Sequence, residues 1–344
     1  MASLSRVTKR WSMLGSVAVV ALAASTLGAC TTDDGERLVV YSGRTENLVG
    51  PLLEDFSEES GVAIDVRYGD SADLALLIDE EGDRTPADVF ISQSPGAVGY
   101  LDAAGRLSTL PDGVVERVPA GDVAADGGWV GLSGRVRTLV YNTDMVDPSD
   151  LPDSVLDLTA PEYAGDVALA PTNGSFQDFV TVLRHELGDD EAQAWLEGMA
   201  AGDPPTFDNN TAIVEAVSRG EVPMGLVNHY YAFRATAEDP DLPVENHYFP
   251  DGDYGSTLLV TAASIVENTD ARDDAEALIE FLLSDEAQEF FSDETFEYPL
   301  AGDAQPNEEL PSFDDISKTR VDLDELGGGL ELTTEMIDES GLNR

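Results

Sequence analysis

Between Leu38 and Ser92 three short apolar runs alternate with two segments of helical spacing. Leu38–Tyr41 reads as a buried strand, and Glu46–Ser60 places Leu48, Leu52, Leu53 and Phe56 on one helical face. Val62–Tyr68 alternates as a strand, Ala72–Glu81 has helical spacing, and Asp88–Ser92 is apolar throughout. A strand–helix–strand–helix–strand order predicts a parallel, doubly wound sheet that binds ligands at the carboxyl ends of its strands. The pattern continues with a helix near 95–104, a long extended stretch from Trp129 to Tyr141 and a strand at Val167–Leu169. Helices are predicted at 175–186, 191–200 and 211–218, then a strand at Val222–Val227 that runs into Asn228-His229-Tyr230-Tyr231. Extended chain returns at Ser256–Val266, followed by helices at 274–283 and 285–291, with no internal repeat. Two α/β halves between which the chain passes more than once suit a hinged two-lobe binder. The hinge is expected near 132–139 and 253–259.

The N-terminus stands outside this fold. Arg6, Lys9 and Arg10 precede an apolar stretch from Met13 to Leu27, too short to span a bilayer, that ends in Leu27-Gly28-Ala29-Cys30. Residues 1–29 therefore read as a secretory signal peptide, and Cys30 has the setting of a bacterial lipobox cysteine, the lipidated first residue of a mature chain. Cys30 is the only cysteine among 344 residues, so no internal disulfide is available. Residues 30–36 become a lipidated tether, and the protein is expected to be anchored to the outer face of the cell membrane.

Charge is the other extreme feature. The signal holds three of the 18 basic residues and none of the 68 acidic ones, which takes the formal charge from −50 for the whole chain to −53 without it. Hydrophobic content of 42% with clear periodicity excludes a disordered acidic tail. Acids spread along the whole chain, with Lys318 the sole lysine after the signal, fit a salt-adapted surface whose self-repulsion is screened by ions. Nucleic acid is excluded as a partner.

Catalytic motifs are missing. Gly131-Leu132-Ser133-Gly134 lacks the spacing of a nucleophile elbow, no P-loop occurs, and His185-Glu186 has no second histidine four residues on. Asp322 and Asp324 near Gly327 fail the spacing of a calcium loop and read as solvated acids. A binder rather than an enzyme is expected. Tyr230-Tyr231, at a strand end and a helix start, is the chemically notable pair. Phenolate is a hard anionic oxygen suited to ferric iron, and a bound trivalent ion stabilises it well below the ordinary phenol pKa of about 10. Taken alone, a tyrosine pair more often serves packing or sugar stacking than metal ligation.

In order and spacing, several blocks resemble the periplasmic ferric-iron-binding protein family. They are Val39-Val40-Tyr41-Ser42-Gly43, Thr85-Pro86-Ala87-Asp88-Val89-Phe90, Trp129 to Arg137, Pro171-Thr172-Asn173-Gly174-Ser175-Phe176, Asn228 to Tyr231, and Glu297-Tyr298-Pro299-Leu300. The resemblance implies the type II two-lobe periplasmic-binding-protein fold, each lobe a doubly wound α/β sheet joined by hinge strands. The lobes would be 37–134 with 255–300, and 135–254 with 301–344. It implies an extracytoplasmic component of an ABC importer, monomeric, delivering Fe3+ to a permease and its ATPase.

By position, Tyr230 and Tyr231 match the family's paired tyrosinate ligands. Arg135 and Arg137 match a basic element for the synergistic anion (carbonate, citrate or phosphate), joined by Asn173, Gly174, Ser175, Asn210 and Asn228. The amides at Asn173–Ser175 also precede a helix, whose N-terminus favours anions on physical grounds. Thr45 stands where the family places a histidine, Gln93 where one subgroup has a glutamate, and Phe176 where another has a further tyrosine. Glu46 is then the one first-lobe candidate for the metal. Thr45, Gln93, Phe176, His229 and Arg234 are placed around the ligands. Two other functions compete: a solute-binding protein for an organic anion or phosphonate without iron, and a lipoprotein hydrolase working through a carboxylate pair.

Overall fold

The computed structural model describes residues 37–343 apart from 251, 314, 315, 317, 322, 324, 325, 327 and 328. The signal peptide, Cys30, the tether, and Asp322, Asp324 and Gly327 lie outside the described residues. The chain opens as its alternation predicts: β1 (Leu38–Ser42), α1 (Glu46–Ser60), β2 (Ile64–Tyr68), α2 (Ser71–Glu81), β3 (Val89–Ser92) and α3 (Pro95–Ala103). β1 pairs in parallel with β2 on one side and β3 on the other. Local chemistry sets the helix boundaries: Asp70 and Ser94 accept the Ala72 and Ala97 amides as N-caps, and Gly61, at φ 77°, ends α1.

After β4 (Leu107–Ser108) and the short α4 (Asp112–Val115) comes β5 (Val130–Asn142), thirteen residues buried from end to end. Then follow β6 (Val167–Ala168), α5 (Gly174–Leu187), α6 (Asp189–Ala201), α7 (Asn210–Ser218), β7 (Met224–Asn228), α8 (His229–Glu238) and β8 (Val244–His247). The chain returns through β9 (Leu258–Val266), α9 (Arg272–Leu282), α10 (Asp285–Asp293), β10 (Tyr298–Pro299) and α11 (Leu330–Ser340).

β5 organises the molecule. From Val130 to Val136 it pairs with β9, in a sheet ordered β2-β1-β3-β9-β5; from Arg137 onward it pairs with β7 and β8 in a second sheet. The first sheet is mixed rather than wholly parallel, because a chain that leaves through β5 and returns through β9 must run the two strands antiparallel. Its core gathers Val40, Phe90, Ile91, Val130, Ala262 and Leu278. The second sheet is covered on both faces, by Phe176, Phe179 and Trp195 on one and by Ile213, Val214 and Val217 on the other. The tail contributes to both cores. Ala301, Leu323 and Leu326 join the first core, whereas Met336, Ile337 and Leu342 join the second.

One close approach fixes the β1–α1 turn. Gly43 donates its N–H to Ile91 O at 2.7 Å, and a Cβ there would stand 1.9 Å from Ser71 Oγ and 3.0 Å from Ser71 Cα. Gly43→Ala is expected to cost about 1–3 kcal/mol by forcing the start of α2 away. Thermal unfolding of the purified protein measures it, and an unchanged midpoint would refute the packing account.

Candidate metal and anion centre

The strand-to-helix junction at Asn228/His229 carries the tyrosines. Asn228 occupies the N-cap position of α8, but its side chain is engaged elsewhere: Nδ2 donates to Ser175 Oγ at 3.0 Å, and Oδ1 accepts from Arg137 Nη1 at 3.3 Å. His229 is buried, its ring stacked on Tyr298 at 5.0 Å and its Nδ1 accepting the Val136 N–H at 3.2 Å. Burial pushes its pKa down to about 3, so it is a neutral structural imidazole. Tyr230 is fully buried and Tyr231 half-buried. Helical geometry alone would separate adjacent side chains by about 100°. At this first turn, however, the two rings stack with centroids 4.2 Å apart and planes at 28°. The Tyr230 hydroxyl has no hydrogen-bond partner in the protein. Burial, and then the neighbouring Tyr231, raise its pKa well above the ordinary phenol range, so only a strong local cation would ionise it.

Three arginines, each at most 1% exposed, stand with Tyr230. Arg135 and Arg137, two apart on β5, share a face of the strand. Arg135 donates to the Gln93 carbonyl and to Thr261 Oγ1 and lies 3.7 Å from Asp178 Oδ2. The Arg137 guanidinium carbon sits 5.7 Å from the Phe179 ring centroid. Arg44, one residue after Gly43, is paired through Nη2 with Glu297, whose other oxygen accepts from Ser133 Oγ. Its guanidinium lies 5.7 Å from the Tyr230 ring centroid. Burial, then the charge of Arg135, pushes the Arg137 pKa down to about 10. At Arg44 burial acts in the same direction, but Glu297 and the two phenols outweigh it and the net shift is upward. Arg44 Nε and Nη1, Arg135 Nε, and Arg137 Nε and Nη2 have no hydrogen-bond partner in the protein.

The α5 N-terminus differs from the simple anion site expected of it. Asn173 Oδ1 itself caps the Ser175 N–H at 3.1 Å, and the Asn173 carbonyl takes the Phe176 and Gln177 amides. What the turn beginning with Gly174 offers is mostly side chain. Ser175 Oγ accepts from Gln93 Nε2 at 3.1 Å as well as from Asn228, and Asn210 Nδ2 reaches Asn173 Oδ1 at 3.4 Å. Ser94 Oγ, the α3 N-cap, donates to Asp178 on α5, which also receives the Gly96 N–H at 3.4 Å. Burial raises the Asp178 pKa to about 6 against the pull of Arg135. These bonds tie the β3–α3 turn of the first lobe to α5 of the second.

Four sequence candidates stand apart from this cluster. Glu46 is exposed and lies against Gly50 and Tyr68 in the groove between α1 and β2. Thr45 is exposed and donates to Asn47 Oδ1 at 2.6 Å. Phe176 belongs to the second core, its ring 6.4 Å from Trp195, because its position on α5 faces inward. Arg234 is half-buried in a pocket with Asn47, Tyr231, Glu215 and Glu238. Sequence reasoning passed over Arg44, Ser94, Ser133, Asp178 and Glu297. Arg44 immediately follows the Val39–Gly43 block and Glu297 opens another, so position was the available signal. Among the described residues no group of three His, Cys, Asp or Glu side chains is arranged to hold a metal.

Two lobes sharing β5 around a buried polar cluster define a type II periplasmic binding protein. Residues 84–326 match the family model of bacterial extracellular solute-binding proteins. The major ferric iron-binding protein of Neisseria meningitidis is 31% identical over 284 residues, covering 81% of this chain and 85% of that one. The structure of iron-bound HitA from Pseudomonas aeruginosa superposes with a TM-score of 0.85 at 29% identity, covering 89% of this chain and 99% of that one. A Trichodesmium protein solved with iron and citrate gives a TM-score of 0.75 at 25% identity, covering 89% and 99%. This chain belongs to the ferric iron-binding proteins within the bacterial extracellular solute-binding family.

Proposed function

We propose that this protein captures ferric iron outside the cytoplasmic membrane, as the solute-binding component of an ABC importer, with Tyr230 and Tyr231 as phenolate ligands and a small anion completing the coordination. The observation that carries this reading is the stacked, largely buried phenol pair on the first turn of α8, beside three buried arginines. Two phenolates fill only part of an octahedral shell. With Glu46 in the α1–β2 groove and Thr45 exposed, the remaining sites fall to an anion and water. Arg135, Arg137, Asn210 and Asn228 carry the donors for that anion. Gln93 and Asn173 hold the framework around Ser175. The signal sequence and Cys30 support export as a lipoprotein anchored in the membrane, which would act as a monomer and hand iron to a permease driven by its ATPase.

Ferric phenolate absorbs visible light by charge transfer. The purified protein, mixed with ferric citrate in bicarbonate buffer, is expected to turn orange-red. A colourless solution in bicarbonate, citrate and phosphate alike would sink the iron reading. It would favour the second one, an organic-anion or phosphonate binder, which the unpartnered arginine nitrogens also suit. The carboxylate pair of a hydrolase has less support, since Glu297 and Asp178 are each engaged with an arginine.

A further inference from the structure

Building on the ferric reading, we propose that Arg44 is the first lobe's own contribution to the ligand: with Arg135 and Arg137 it grips the anion on the iron, and that anion is a small dianion. Arg44 comes from the β1–α1 turn, on the first lobe, yet its guanidinium lies over the Tyr230 ring of the second. Glu297 engages one of its terminal nitrogens and is itself steadied by Ser133, which fixes the plane of the fork. Nε and Nη1 keep their donors unspent although the residue is 1% exposed. A purely structural pair would use those donors, because unsatisfied buried polar groups are costly. A planar fork with free N–H groups matches the oxygens of carbonate or hydrogen phosphate.

Charge points to the same ligand. Three guanidiniums face two carboxylates, Glu297 and Asp178, which leaves one unit of positive charge in the buried cluster. A ferric ion on two phenolates adds one more, and a dianion brings the whole to neutrality. Electrostatic coupling runs through the group: Arg44 acts on Arg135, Arg135 on Arg137, and all three on the Tyr230 phenol or its neighbour.

The test separates this proposal from the iron reading by using iron-free protein first. Calorimetric titration of the full chain with phosphate at pH 7.5 is expected to show binding, with nitrate as the monoanion control binding at least tenfold more weakly. The double variant Arg44→Gln/Glu297→Gln removes the buried pair as a pair, so that neither charge is left alone. It should bind phosphate at least tenfold more weakly than the wild type, as should Arg44→Lys, which keeps the charge but loses the fork. Arg272→Gln, in a surface ion pair with Glu276, should match the wild type. Equal anion affinity in the wild type and both Arg44 variants, or no affinity in the wild type, overturns the proposal. The iron reading has a separate readout. Tyr230→Phe should bind the anion yet stay colourless with iron, whereas the Arg44 variants should colour only at correspondingly higher anion concentration.

Discussion

Tyr230→Phe is expected to abolish the visible band and to lower ferric affinity by more than about a hundredfold. Removing a mere supporting partner of a metal ligand already costs about 10–100-fold, and here a ligand itself is lost. The substitution deletes one oxygen from a fully buried ring whose hydroxyl has no partner in the protein, so packing and stability should be nearly unchanged. Retained thermal stability with lost colour is thus the specific signature. Acid should mimic the mutation in the wild type. Burial holds the Tyr230 proton on, so iron must displace it. Release of that proton implies that affinity falls by about tenfold or more for each unit of falling pH below the phenol range. Spectrophotometric titration against a competing chelator measures both effects. A Tyr230→Phe protein that keeps both the band and the ferric affinity of the wild type would remove the Tyr230 phenolate from the coordination shell.

The largest stability effect is expected at Glu297. Replacing it with alanine leaves Arg44 charged and buried, with both side chains of the original pair at 0% exposure. Breaking such a pair from one side costs about 3–5 kcal/mol, because the remaining charge keeps its desolvation penalty without its partner. In a chain of this size that corresponds to a drop in melting temperature on the order of ten degrees. Glu297→Gln, which can still accept from the guanidinium and from Ser133, should lose less. Differential scanning calorimetry on iron-free protein decides the matter. A Glu297→Ala midpoint within a degree or two of wild type would mean that water reaches Arg44.

Much of the architecture was legible because hydrophobic period is a strong signal in this chain. α1 has the span that Leu48, Leu52, Leu53 and Phe56 indicate, and the long apolar run from Trp129 became the shared strand β5. β8 and α11 were not foreseen. Val244–His247 mixes charge and apolar residues at a half-exposed edge, and α11 carries acids on a helix whose buried side rests on Leu330, Thr333, Met336 and Ile337 alone. The antiparallel return of β9 depends on chain path, which local pattern does not encode.

The site divides the same way. Tyr230 and Tyr231 stood out because adjacency is visible in one dimension, and Arg135 and Arg137 followed from the family resemblance. Arg44 and Ser133 each meet Glu297 across more than 150 residues of sequence, and in a chain with 68 acids one glutamate carries no mark of being buried. Glu46 shows the converse: it follows the right strand, but the first turn of α1 points it toward Gly50 and Tyr68.

β5 gives these positions a mechanical meaning. Its hydrogen bonds change sheets between Val136 and Arg137, so the two arginines flank the junction of the two sheets. Displacement in a rotation grows with distance from the axis. If the lobes part there, Arg135 and Arg137 travel least, while the β1–α1 turn, with Arg44, moves with the first sheet. Two of the three arginines would thus wait in place at the fulcrum and the third would arrive on the moving arm, so that grasping the ligand and shutting the cleft are one stroke.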